Sequence, residues 1–148
     1  VIPVARRLGK ATWTDLHATD GVREYEHDFL EADHVFFSAE RLPDPRPLME
    51  RLAAAGRRLV VCTRGSRGAL ALTSDRRWIE VPAEPASAVV DTNGAGDAFA
   101  AGVLYGEVLG LTIERSLSIG ARVAALCVAS TELASPDLSP ASVADLAG

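Results

Sequence analysis

The sequence predicts an α/β fold, a mostly parallel sheet with helices on both faces and a hairpin at one edge. Three observations lead there. Compact apolar runs, His34-Val35-Phe36-Phe37-Ser38 and Arg58-Leu59-Val60-Val61-Cys62-Thr63, alternate with stretches of helical period. The middles of these runs are continuously apolar rather than alternating, as in strands that crossover helices cover on both faces. Two further strand-like runs, Ala69-Leu70-Ala71-Leu72-Thr73 and Arg77-Trp78-Ile79-Glu80-Val81, are separated only by Ser74-Asp75-Arg76, which reads as an antiparallel hairpin.

In chain order, Ala5 to Leu8 reads as a last helical turn stopped by Gly9, and Ala11 to Leu16 as a strand. His17 to Tyr25 is polar and loop-like, Glu26 to Ala32 a short helix, and His34 to Ser38 the next strand. Pro43-Asp44-Pro45-Arg46-Pro47 punctuates a helix start; the stripe Leu48, Met49, Leu52, Ala53 and Ala55 follows, ending at Gly56. After the Arg58–Thr63 strand and the hairpin, Pro82 to Pro85 leads the chain away. Ala88-Val89-Val90 is an apolar lead-in to a glycine-rich turn. Helices follow at about Asp97–Leu109 and Thr112–Ser130. The second carries Ile113, Leu117, Gly120, Ala121, Ala124, Ala125 and Val128 on one face, where small residues predict close packing. The tail from Ser135 is marked by Pro and Ser.

With 148 residues, 48% hydrophobic and 24% charged, the chain reads as one globular domain. The net charge of -5 includes no basic run of the kind that binds nucleic acid; Lys10 is the single lysine. No apolar stretch approaches the ~18 residues of a membrane span, and the first residues lack signal-peptide order. Cys62 and Cys127 sit in apolar patterns and read as buried hydrophobes, so a reducing, cytoplasmic setting is expected. The opening Val1-Ile2-Pro3-Val4 has no Met and runs into a helix end, so a fragment, or a missing earlier part, is expected.

The stretch that carries chemistry is Val89-Val90-Asp91-Thr92-Asn93-Gly94-Ala95-Gly96-Asp97-Ala98-Phe99. Glycines and a small alanine leave the N–H groups of Gly94, Ala95 and Gly96 uncovered where a helix begins, and the helix end adds partial positive charge. Such a pocket suits a transferring phosphoryl group. Asp97 beside it is placed to take the proton of an attacking hydroxyl. On its own, the same pattern also describes a tight turn followed by a carboxylate that complements a helix dipole. A dinucleotide fingerprint is a poorer match, because Phe99 stands where that pattern needs Gly or Ala.

Asp91 to Phe99 closely resembles the C-terminal signature of the ribokinase-like (phosphofructokinase-B type) carbohydrate kinases. The resemblance implies the three-layer ribokinase-like fold, with Gly94, Ala95 and Gly96 as an anion hole and Asp97 as catalytic base. It implies ATP and Mg²⁺, and Asp91 and Asn93 as holders of a monovalent cation such as K⁺. Val60-Val61-Cys62-Thr63-Arg64-Gly65-Ser66-Arg67-Gly68-Ala69-Leu70 looks like the family's strand, turn and strand beside the ATP phosphates, so Thr63, Arg64, Gly65, Ser66, Arg67 and Gly68, with Asn93, are implied nucleotide contacts. Ala32 to Glu40 resembles the strand leading into the family's Asn-x-x-Glu motif. Ser38 and Arg41 stand at its Asn and Glu positions, and Glu40 is the carboxylate able to serve indirectly toward Mg²⁺. Arg122 to Leu126 resembles the adenine-side helix, with Glu132-Leu133 where Gly-Ala often follows.

The resemblance further implies that residues 1–148 are the nucleotide-binding, catalytic portion of such a domain, without the N-terminal half that carries the sugar-binding glycines and the lid. The expected activity is phosphoryl transfer from ATP to a hydroxyl of a sugar or similar alcohol. A vitamin or nucleoside kinase of the same superfold and a degenerate sensor are the alternatives. Expected partners are the small-molecule substrate and, in a homodimer, a second copy; nucleic acid and membrane are not expected. His17, His27 and His34 have no metal-ligand spacing, Asp15 closes a strand where α/β ligands collect, and Trp13 and Trp78 read as packing residues.

Overall fold

In a computed structural model, residues 1–19, 27–132 and 134–147 are described. The predicted loop up to Tyr25 lies mostly outside them, as do Glu26 and Leu133. The chain divides into two compact units, Val1–Arg64 with Ala69–Glu80, and Gly65–Gly68 with Val81–Gly148.

The first unit is built on a five-stranded sheet in the order β1 (Trp13–Ala18), β2 (His34–Ser38), β3 (Leu59–Thr63), β4 (Ala69–Thr73) and β5 (Trp78–Val81). β1, β2 and β3 run parallel and β4 returns antiparallel, pairing Val61 with Ala71. The mostly parallel sheet with an edge hairpin is therefore borne out. At the turn, Thr73 N–H donates to the Arg77 carbonyl at 3.1 Å.

The expected loop at His17 is a correction. β1 continues through Ala18, because a bulge between Asp15 and Ala18 absorbs an extra residue. His17 takes φ 58° there, and its N–H donates to Asp15 Oδ1 at 2.8 Å. A polar composition concealed the strand because β1 lies at the edge of the sheet, where one side need not be apolar.

Helix α1 (Ile2–Arg7) ends before Gly9 as expected, and α2 (His27–Leu30) is a single turn. α3 (Arg46–Ala54) begins after Asp44, whose Oδ1 accepts from Arg46 N–H at 3.0 Å. Leu48, Met49, Leu52 and Ala53 are buried, whereas Ala55, counted in the predicted stripe, is the exposed C-cap. The buried four pack with Val35 and Phe37 of β2, Val60 and Cys62 of β3, and Leu70 and Leu72 of β4. Each such large side chain contributes about 1.5–3 kcal/mol by leaving water. Trp78 packs against this core with the Arg46 guanidinium 4.8 Å over its ring, and Trp13 stacks on His34 and Phe36; both tryptophans are packing residues.

The second unit centres on α4 (Ala95–Val108) and α5 (Ile113–Val128). α4 starts two residues before Asp97. Thr112 caps α5, its hydroxyl accepting from Arg115 N–H at 3.4 Å. The helices approach closely because small residues face each other. A methyl added at Gly102 would lie 2.8 Å from Gly120 Cα, and one at Gly106 would lie 2.7 Å from Ser116 Cα. The predicted small-residue packing is thus present, though the buried face is wider than expected. Ser116, Ile119, Val123 and Cys127 are buried, while Ile113, Ala124, Ala125 and Val128 are only half-buried. Val89 and Val90, expected as an apolar lead-in, are exposed and form no strand. The tail folds into a turn of 3-10 helix at Pro140–Val143 and α6 (Ala144–Ala147), which seats Val143 against Ile119 and Val123.

Candidate active site

Asp91 opens the loop with a local bond, its Oδ1 accepting from Asn93 N–H at 2.9 Å. Gly94 follows with φ 76° and ψ -2°, a left-handed conformation that costs side-chain-bearing residues about 1–2 kcal/mol. This sharp turn aims the chain directly into α4, with Gly94 as N-cap and no side chain to close the helix end. Ala98 N–H donates to the Gly94 carbonyl at 2.9 Å, and Ala95 N–H reaches the Thr92 carbonyl at 3.3 Å. For the amides of Gly96 and Asp97 the helix itself supplies no carbonyl, as in any first turn. Of the three donors expected from sequence, Ala95 is therefore the one already engaged.

Asp97 is the third helical residue and exposed, while Gly94, Ala95 and Gly96 are half-buried. Asp97 and Asp91 both act on Cys127. Burial pushes the Cys127 thiol up, and the two carboxylates push it further the same way. Both cysteines are buried, and neither forms a disulfide. Cys127 Sγ lies 3.6 Å from the Asn93 carbonyl, a link between α5 and the loop that sequence reading missed.

Gly65 to Arg67 forms one turn of 3-10 helix, closed by Gly68 N–H to the Gly65 carbonyl at 2.9 Å. It belongs to the same compact unit as Gly94 to Asp97. Gly68 has a steric reason of its own: a methyl there would run into the Val81 carbonyl oxygen, on a backbone with φ 77°. Ser66 and Arg67 are exposed. Arg64 is turned toward protein, with Nη1 3.7 Å from Glu80 Oε1 and Nη2 donating to the Ala69 carbonyl at 3.3 Å. Thr63 Oγ1 donates to the Phe37 carbonyl at 3.4 Å.

Glu40 is exposed in the 3-10 turn Ala39–Arg41, its N–H donating to Ser38 Oγ at 3.3 Å. Arg122, on the helix likened to the adenine side, ties the unit together: it lies 3.9 Å from Glu84, 3.5 Å from Asp145, and donates to the Ser142 carbonyl at 3.4 Å. Among the described residues no three His, Cys, Asp or Glu side chains converge as a metal cage, and no helix is long and apolar enough to cross a membrane.

The family model of the pfkB family carbohydrate kinases matches residues 29–140. The chain is 45% identical over 114 residues to an acarbose 7(IV)-phosphotransferase of Actinoplanes, covering 73% of this chain and 38% of that protein. A solved microbiome-derived acarbose kinase superposes with a TM-score of 0.88 and 32% identity, over 99% of this chain and 51% of that one. Arabidopsis thaliana ribokinase, solved with ribose and ATP, shares the fold with a TM-score of 0.79 at 23% identity, over 99% of this chain and 50% of that one. The chain thus spans about half the length, or less, of these relatives. The signature at Asp91–Phe99 falls inside the matched region, and the chain belongs to the pfkB family of carbohydrate kinases.

Proposed function

We propose that residues 1–148 are the nucleotide-binding, catalytic portion of a ribokinase-like domain that transfers the γ-phosphoryl group of ATP to a hydroxyl of a sugar or similar small alcohol. The observation that carries this reading is the left-handed Gly94 delivering the chain into α4 with Asp97 in its first turn. That arrangement sets amide donors and a positive helix end beside a solvent-accessible carboxylate. The family membership and an acarbose-phosphorylating relative support a sugar hydroxyl as acceptor.

In this reading Asp97 accepts the proton of the acceptor hydroxyl as its oxygen bonds to the γ-phosphorus and the bond to the ADP oxygen breaks. The amides of Gly94, Ala95 and Gly96 hold the oxygens of the transferring group. The Ala95 amide exchanges its long bond to Thr92 for this one. Gly65, Ser66, Arg67 and Gly68, with Asn93, border the nucleotide.

Membership of a kinase family supports Mg²⁺, an ion that keeps waters and is held largely by substrate phosphates. When bound with the nucleotide it neutralises phosphate charge. Asp91 and Asn93 are oxygen donors of the kind K⁺ takes, and would hold that ion beside the loop. The buried, disulfide-free Cys62 and Cys127 suit a reducing, cytoplasmic setting for this reaction.

The test is a ³¹P NMR time course of Mg-ATP with acarbose and a panel of sugars, polyols and nucleosides, for the protein and its Asp97→Asn variant. A phosphate ester that forms with the protein and is lost in the variant is expected. Nucleotide binding without any ester would replace this reading with a nucleotide sensor, and an ester that persists in Asp97→Asn would remove Asp97 as base.

A further inference from the structure

Two hydrogen-bond systems join the last turn of α5 to the loop that precedes Gly94. The Val128 carbonyl, one of the terminal carbonyls an α-helix leaves without a partner, accepts from Val90 N–H at 2.9 Å and Asp91 N–H at 3.3 Å. One residue earlier, Cys127 Sγ lies 3.6 Å from the Asn93 carbonyl. A carbonyl only accepts, so the thiol is the donor. Cys127 is 3% exposed, so water does not compete for this contact.

The geometry points to Cys127 as a positioning residue for the anion hole, its thiol fixing the Asn93 carbonyl and hence the direction in which the chain enters Gly94. This inference rests on the proposed role of the Gly94–Gly96 amides. The peptide plane that carries the Asn93 carbonyl also carries the Gly94 N–H, so rotation of the carbonyl would swing that amide. The close approach of α4 and α5 supplies the rigid frame. A methyl at Gly120 would lie 2.8 Å from the Phe99 carbonyl oxygen, so α5 is held against the start of α4 as well as against the loop.

The test is amide hydrogen exchange on the full chain without nucleotide, comparing the protein with Cys127→Ser, Cys127→Ala and Cys127→Val. Serine restores a donor, alanine removes it, and valine removes it while filling the space. The amides of Asp91, Asn93 and Ala95 are expected to exchange about threefold faster or more in the Ala and Val variants, and to return toward the original rate in Ser, with β3 and β4 unchanged. Original rates at this loop in Ala and Val, or equal acceleration in all three variants, would overturn the inference by showing that only volume matters. Acceleration spread equally over β3 and β4 would overturn it as a general loss of stability. Turnover is read separately, as kcat and KM for ATP. A wild type that phosphorylates no acceptor counts against the proposed function, while the exchange pattern still decides the role of Cys127.

Discussion

Gly102→Ala places a methyl where α4 and α5 meet. It would lie 2.8 Å from Gly120 Cα, 3.1 Å from Gly120 N and 3.1 Å from the Ile119 carbonyl oxygen, all backbone atoms that cannot rotate aside. Relief requires the helices to part by roughly 1 Å, and such overpacking costs up to about 3 kcal/mol. Alanine returns about 1 kcal/mol of helix propensity. The net loss is about 2 kcal/mol, a fall in Tm of about 4–8 °C for a protein of this size. Thermal unfolding followed by circular dichroism measures it, with the exposed Ala101→Gly variant as a propensity control expected to lose about 1 kcal/mol. An unchanged or raised Tm for Gly102→Ala would refute the close approach, because propensity alone would then govern the site.

Asp97→Asn is expected to lower the rate of phosphoryl transfer by about 10²–10⁴-fold while leaving nucleotide affinity, measured by calorimetry, near its original value. Gly94→Ala is expected to cost about 1–2 kcal/mol of stability from its left-handed backbone and to weaken nucleotide binding. Gly68→Ala should be more damaging than Gly65→Ala by thermal melting, because Gly65 has open space around an added methyl and Gly68 has the Val81 carbonyl. Asp33 opposes burial, which raises its pKa, with bonds from Thr12 Oγ1 at 2.8 Å and Thr12 N–H at 2.9 Å and with the nearby Arg58 and His34, so its net pKa lies below the ordinary 3.8. Its contribution to stability is therefore present above the unfolded-state value and lost as pH falls through the folded one. Asp33→Asn should flatten the fall in Tm between about pH 5 and pH 2.

The strands β2 to β5 were legible because their apolar or β-prone runs are short and bounded by turn residues, and α3 because its stripe has helical period. The candidate site was legible for a local reason: Asp91 to Asp97 are neighbours in the chain, and glycine dictates their turn. His17 misled because a bulge permits a polar residue inside an edge strand, a choice made by pairing with β2 rather than by propensity. Val89 and Val90 lead into the turn as read, and only the structure shows that they stay exposed there.

By itself, then, the sequence determined the α/β class, the order of the main elements and the sharp glycine turn ahead of α4, since these follow from period, punctuation and local backbone freedom. Only the tertiary structure decided what crosses long chain separations. It showed that Gly102 and Gly106 exist for contact with Gly120 and Ser116, that Gly68 makes room for Val81, and that Cys127, 34 residues beyond Asn93, reaches its carbonyl. Such contacts depend on how two helices pack, and packing is set by the shapes of both partners together rather than by either segment's own pattern.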